Sequence, residues 1–241
     1  RFYPAHLRPR DWLAHYAGHF SAVEVTASSW AVPNARQIAR WRQAAGPDLL
    51  FALKLWEAIT YGKRLRDCAH ELRTFLDAAE GLGASRGPLL VQLPPTLHRD
   101  PTLLADFLCE LEDAMGDARA PVAVEFRSAD WLTDHVYDLC DRHDVAICIS
   151  DLPRCLCLEG NDADLVYVRR HGPDGHARAS YPQELLQRDA LDISAWLEQG
   201  RDVHVYFTNV VDGHAIEDAR ALQAMIGPHA RLERTAAGMI P

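Results

Sequence analysis

The 241-residue chain is 48% hydrophobic and 24% charged, an ordinary globular profile with enough apolar material for one large core. Thirty-four acidic against 25 basic residues leave a net charge of −9, which disfavours a non-specific nucleic-acid or anionic-membrane binder but allows a local basic pocket. No apolar stretch approaches the roughly 20 residues needed to span a bilayer, and no linker, repeat or secretory signal is visible. Residues 1–241 are therefore expected to form a single cytoplasmic domain.

In chain order, the first predicted element is a helix over Asp11–Phe20, with Trp12, Leu13, Tyr16, Ala17 and Phe20 on one face. Strand Ala22–Thr26 follows, then a helix capped by Asn34 that runs towards Gly46. Strand Leu50–Leu55 precedes a long helix from about Leu65 to Leu82, and strand Leu89–Leu93 ends against Pro94-Pro95. Asp100-Pro101 starts the next helix, an N-cap followed by proline at the first helical position, and that helix stops near Gly116. Strand Val122–Phe126, a helix from about Asp134 to His143 and strand Ala146–Ser150 continue the alternation. Strand Leu165–Arg169 comes next, then helical segments around Glu184–Arg188 and Ile193–Gln199, strand Val203–Phe207 and a helix around Ala215–Ile226.

The strands are short, nearly continuous apolar runs, as parallel strands covered on both faces must be. Several carry charged or amide groups at or near one end: Glu24, Lys54, Gln92, Glu125 with Arg127, and Arg169 with Arg170. Desolvating such groups is costly unless they are paired or serve a site. Their repetition predicts a polar mouth at one end of a parallel sheet, where α/β folds carry function.

Strict alternation of seven strands with helices predicts right-handed β-α-β crossovers. The leading helix Asp11–Phe20 has no strand before it, so the fold expected is a TIM-type β/α barrel lacking its first strand. An open doubly wound sheet is the rival, but no G-x-G-x-x-G or G-x-x-x-x-G-K-[ST] turn occurs. A missing strand would leave apolar edges on Ala22–Thr26 and Val203–Phe207. An N-terminal extension, or some other segment, is expected to fill that gap.

Phe2-Tyr3-Pro4, Val23-Glu24-Val25, Phe51-Ala52-Leu53-Lys54, Ile59-Thr60, Gln92-Leu93-Pro94-Pro95 and Val124-Glu125-Phe126-Arg127 occur in that order. Ser150-Asp151, Tyr167-Val168-Arg169-Arg170-His171-Gly172 and Tyr206-Phe207 complete the series. This pattern resembles the YecE-like family, catalogued as domain of unknown function 72. The resemblance implies a TIM-barrel-like fold and brings no established reaction with it. The chain departs from the family at Thr26-Ala27-Ser28-Ser29-Trp30, at Tyr61 in place of a usual histidine, and at Thr208-Asn209 in place of two asparagines.

Side chains alternate across a strand, so Glu24, Lys54, Gln92, Glu125, Arg127, Arg169 and Tyr206 are placed on the inner face near the mouth. Two carboxylates against three cations suit an anionic or sugar-like small molecule, with arginine forks holding carboxylate or phosphate. The expected acid/base is Glu125, with Glu24 second and His171 at the rim. Lys54, Gln92, Arg127, Asp151, Arg169, Tyr181, Tyr206 and Asn209 are the expected substrate contacts. The competing account is an ion-pair network that neutralises itself and plugs the interior.

No resident cofactor is expected. A divalent metal on Glu24, Glu125, Asp151 and His171 is the alternative, although the neighbouring cations would repel it and no H-E-x-x-H motif occurs. A Schiff-base role for Lys54 and a reactive Cys155-Leu156-Cys157 are lesser readings. His135, His143 and His229 read as surface or helix-end residues. Trp56, Trp131 and Tyr181 could stack on a base or sugar, or simply cover the rim. Three functions remain open: an acid–base enzyme, a non-catalytic binding module, and a metal-dependent nucleic-acid-processing protein.

Overall fold

The computed structural model describes residues 2–227. His229 and the rest of the predicted domain beyond Gly227 lie outside the described residues. Among the described residues, eight strands are all paired in parallel. Strands β1 (Ala22–Val25), β2 (Leu50–Lys54), β3 (Arg86–Gln92), β4 (Val122–Glu125) and β5 (Val145–Ile147) form one sheet in that order. Strands β6 (Ile149–Ser150), β7 (Leu165–Arg170) and β8 (Asp202–Phe207) form a second. The two meet at Cys148, which separates β5 from β6 and still donates its N–H to Val124 O at 2.8 Å. The one strand predicted over Ala146–Ser150 is therefore the junction at which the sheet passes from one ladder to the next.

Helices α1 (Trp12–Ala17), α2 (Ala35–Ala45), α3 (Ala69–Glu80), α4 (Pro101–Met115), α5 (Asp134–Arg142), α6 (Gln183–Glu198) and α7 (His214–Ile226) alternate with the strands. Asn34 and Gln37 form a reciprocal capping box at α2. Asp100 Oδ1 accepts from Leu103 N, with Pro101 opening α4.

Alternation along each strand divides the core into two layers. Phe51, Leu53, Leu89, Val91, Val122 and Val124 pack outward against Leu72, Phe75, Leu104, Phe107 and Val136 of the helices. Ala52, Leu90, Ala123, Ala146, Cys148, Tyr167 and Tyr206 form a second cluster on the opposite face. That cluster draws on strands from both sheets, so the combined sheet curves around its own inner core. β1 and β8 are its two ends. Among the described residues no ladder joins them, and a cavity of about 1860 Å³ lies between them.

Three departures from the predicted elements have local causes. The helix expected from about Leu65 begins at Ala69, because a π-helical turn over Ala58–Gly62 leads into Arg64, Leu65 and Asp67, all at positive φ. Non-glycine residues in that region cannot continue a right-handed helix. The two helical segments expected after β7 are one helix, α6, since Leu186, Ala190 and Ile193 keep a single buried face throughout. The first helix ends at Ala17, and Trp12 leaves the core face to stack on Tyr3 at 4.7 Å.

A polar network at the strand ends

Parallel register sets the C-terminal strand residues side by side. Gln92 of β3 is in register with Glu125 of β4, and Ser150 of β6 with Arg169 of β7. Gln92 Nε2 donates to Glu125 Oε2 at 2.6 Å. Arg169 bridges two carboxylates, with Nη1 2.5 Å from Glu125 Oε2 and Nη2 2.8 Å from Glu24 Oε1. The Tyr167 hydroxyl donates to Glu24 Oε2 at 2.7 Å. Arg127 Nη2 lies 3.2 Å from Glu125 Oε1. His171 Nε2 lies 3.1 Å from the same oxygen, and its Nδ1 lies 2.9 Å from Thr208 Oγ1.

Glu125 is fully buried. Burial is the largest influence on its carboxyl and pushes the pKa upward, but Arg169, His171 and Arg127 together outweigh it. The net result holds the carboxyl well below the usual carboxylate range. Glu125 is thus a fixed anion across the physiological range. A carboxylate can only accept, so the proton between Glu125 and His171 sits on Nε2, which leaves Nδ1 of the neutral ring as the acceptor for Thr208.

The other side of the mouth is more open. Lys54 Nζ lies 3.0 Å from Glu57 Oε1 and 5.8 Å from the centre of the Tyr61 ring. The Tyr61 hydroxyl donates to Gln92 Oε1 at 3.3 Å, and burial raises its pKa above the ordinary phenol value. Glu57 corrects the charge balance expected from the sequence. Three residues beyond Lys54, the turn after β2 brings it back onto the lysine, so three carboxylates meet three cations and the positive excess is cancelled.

Glu24, Lys54, Gln92, Glu125, Arg127, Arg169 and His171 therefore converge. Asp151, Tyr181 and Asn209 brace the loop after β7 instead. Asp151 accepts from His171 N at 2.7 Å and forms a very short hydrogen bond with the Tyr181 hydroxyl, which itself accepts from Gly172 N at 2.6 Å. Asn209 is buried and donates to Asp218 and to Ala179 O. Tyr206 is in register with Arg169, but its hydroxyl lies 2.9 Å from His204 Nδ1. Glu57, Tyr61, Tyr167 and Thr208 join the network without having been expected. Tyr167 could have been found, since it shares a strand face with Arg169.

Several lesser readings change. Trp131 is fully buried, stacks on Phe126 and donates Nε1–H to Leu97 O at 2.8 Å, so it offers no face to a ligand. Trp56 packs against the core and Tyr181 is buried, which disfavours the stacking alternative. Cys155 and Cys157 are buried too, and desolvation pushes the Cys155 thiol up to about 11 and raises Cys157, the opposite of an activated thiolate. His143 sits at the C-terminal end of α5, as a helix-end residue, and pairs with Glu112 at 2.8 Å. Among the described residues no group of three or more His, Cys, Asp and Glu side chains could hold a metal ion.

These features define an α/β protein of parallel strands with a buried ionic network at the strand ends. The chain belongs to the family described as "Protein of unknown function DUF72", whose model matches residues 1–239. It is similar to the UPF0759 protein YunF of Bacillus subtilis, 22% identical over 93% of this chain and 89% of YunF. A match to the UPF0759 protein YecE of Escherichia coli is 32% identical but spans only 35% of this chain and 31% of YecE. The fold is similar to the crystal structure of a DUF72 family protein from Thermotoga maritima, with a TM-score of 0.80 and 22% identity over 93% of this chain and 92% of that one. A DUF72 family protein from Enterococcus faecalis gives a TM-score of 0.77 at 19% identity, over 89% of this chain and 87% of that one. Among the described residues no helix is long and apolar enough to cross a membrane.

Proposed function

We propose that the curved sheet is a β/α barrel with the position between β1 and β8 left open, and that its strand-end mouth binds and transforms a small anionic or sugar-like compound by acid–base chemistry. The observation that carries this reading is the His171–Glu125 pair. A buried carboxylate held ionised by its cationic neighbours orients the imidazole through Nε2, so His171 moves the proton and Glu125 holds the ring in place. Glu125 itself keeps its charge near neutral pH and is a poor proton donor there. Arg127 is the binding cation, because its side chain is partly exposed and only one of its terminal nitrogens faces Glu125. Lys54 and Tyr61 line the opposite rim.

The extent of mutual pairing favours a second reading, a non-catalytic binding module. Arg169 already spends both terminal nitrogens on carboxylates, which leaves Arg127 and Lys54 for a ligand. Thermal-shift screening of a metabolite library, followed by turnover assays on the hits, separates the two. Turnover that is lost in His171→Gln while binding persists is the expected result. Stabilising ligands that are never converted would leave the binding module, and turnover undiminished in His171→Gln would reject the acid–base assignment.

A further inference from the structure

Thr208 lies just past β8, still tied to β7 by its N–H donated to Arg170 O at 2.8 Å. In the alternation His204, Tyr206, Thr208 it continues the inward-facing set. Its hydroxyl has two candidate acceptors, Arg170 O at 3.3 Å and His171 Nδ1 at 2.9 Å, and the imidazole is the closer. Thr208, Glu24 and Arg169 all line the cavity between β1 and β8. Arg169 is 4% exposed, and among the described residues its Nε–H has no partner. A hydroxyl, an imidazole and a buried carboxylate therefore lie in hydrogen-bonded series, and Arg169, which pairs with that carboxylate, lines the same cavity as the hydroxyl.

We infer that Thr208 is the nucleophile of an acyl-transfer site in which His171 is the base, Glu125 orients the imidazole, and Arg169 Nε–H receives the oxyanion. This deepens the acid–base reading and rests on its assignment of His171 and Glu125. The substrate class is a carboxylic ester of a small hydroxylated compound. In the first step a bond forms between Thr208 Oγ and the acyl carbon while the hydroxyl proton passes to His171 Nδ1. Glu125 pairs with the resulting imidazolium, and the carbonyl oxygen carries the negative charge towards Arg169. Collapse breaks the bond to the departing alcohol, which takes the proton from Nδ1. Water then gives a proton to the same nitrogen and attacks the acyl-threonine. The carboxylic acid leaves and the proton returns to Thr208 Oγ, so the sum is ester plus water to acid plus alcohol.

The arrangement differs from the familiar serine triad in which ring nitrogen does what: here Nδ1 faces the hydroxyl and Nε2 the carboxylate. The chemistry requires only that base and orienter occupy opposite nitrogens of one ring. β-Branched threonine also restricts χ1, which helps keep Oγ1 on the imidazole.

An alkyl fluorophosphonate tests this directly, since it reports an activated hydroxyl without knowledge of the natural ester. Incubation between about pH 6 and pH 9 should give one covalent adduct on the peptide that carries Thr208. Thr208→Ser should keep the adduct, Thr208→Val should lose it, and His171→Gln should slow labelling by about 100-fold or more. Thermal unfolding of each variant confirms that the fold is retained. No adduct on the folded protein, an adduct at Ser150 instead, or labelling indifferent to His171→Gln would overturn the proposal. Conversion of a screening hit that needs His171 but survives Thr208→Val would reject the nucleophile and leave the acid–base reading standing.

Discussion

Glu125 and Asp218 are both buried carboxylates, yet they are held by opposite means. Glu125 is surrounded by Arg169, Arg127 and His171, all groups that carry or can carry positive charge. Asp218, on α7, is held by dipoles: the Ser180 hydroxyl at 2.6 Å, Asn209 Nδ2 at 2.7 Å and Tyr181 N at 3.2 Å. Neutral donors suffice to fix a loop, and Asp218 pins the segment after β7 to α7. Placing two guanidinium groups and an imidazole around one carboxylate costs far more desolvation. Such an arrangement is hard to justify as a loop anchor. It suits the acid–base role proposed for His171, in which the carboxylate must stay ionised while its neighbour changes charge.

The comparison can be broken most forcefully at Glu125. Glu125→Ala should cost about 3–5 kcal/mol in urea unfolding, because it leaves the buried Arg169 with one carboxylate, Glu24, in place of two. Adding Arg169→Met should recover part of that loss, whereas simple additivity of the two costs would show that the pair is not coupled.

Acid titration is the next test. The folded-state pKa of Glu125 is depressed, so its stabilisation is fully present above the unfolded value near 4.5 and is lost as pH falls below it towards the folded value. Thermal unfolding followed downward from about pH 6 should therefore show a steep acid limb in the native protein and a shallower one in Glu125→Gln. Equal slopes would place the acid sensitivity elsewhere.

Asp218→Ala should cost less, about 1.5–3 kcal/mol, the range for hydrogen bonds to a charged group. Its effect should concentrate in the loop after β7, read as faster amide exchange around Ser180 and Tyr181. Uniform loss of protection across α7 and the sheet would instead make Asp218 a global core element. The smallest effect is expected at Arg127, whose side chain is partly exposed. Arg127→Ala should change stability by less than about 1 kcal/mol while weakening any anionic ligand found by thermal shift. Unchanged ligand affinity would remove Arg127 from the binding role.

The strands were readable because a parallel strand buried on both faces leaves an unbroken apolar run. Each run named from the sequence coincides with a strand to within a few residues except Ala146–Ser150, which is divided at Cys148 between β5 and β6. The same logic located Glu24, Lys54, Gln92, Glu125 and Arg169, whose polarity interrupts such runs at one end. What could not be read begins where the strands stop. Once alternation ends, nothing local says whether a polar residue turns into the mouth or braces a loop. Thr208 and Asn209 are adjacent, yet one reaches His171 and the other is buried against Asp218. Glu57 and Tyr61 were missed because their positions depend on the π-helical turn after β2. Trp131 read as a rim aromatic because its burial rests on Leu97 and Phe126, contacts that only tertiary packing creates.

The bonds that tie Glu24 to Arg169 and Tyr167 span 145 and 143 positions of the chain. Closing so long a loop carries an entropic cost that local helices and neighbouring strand pairs do not share. During refolding, backbone structure can therefore form while this junction is still apart. Helical signal in circular dichroism would recover before the hydrogen bonds to Glu24 are made. Occupancy of the mouth by a ligand would then report that the two distant ends of the fold have come together, which no measure of secondary structure can do.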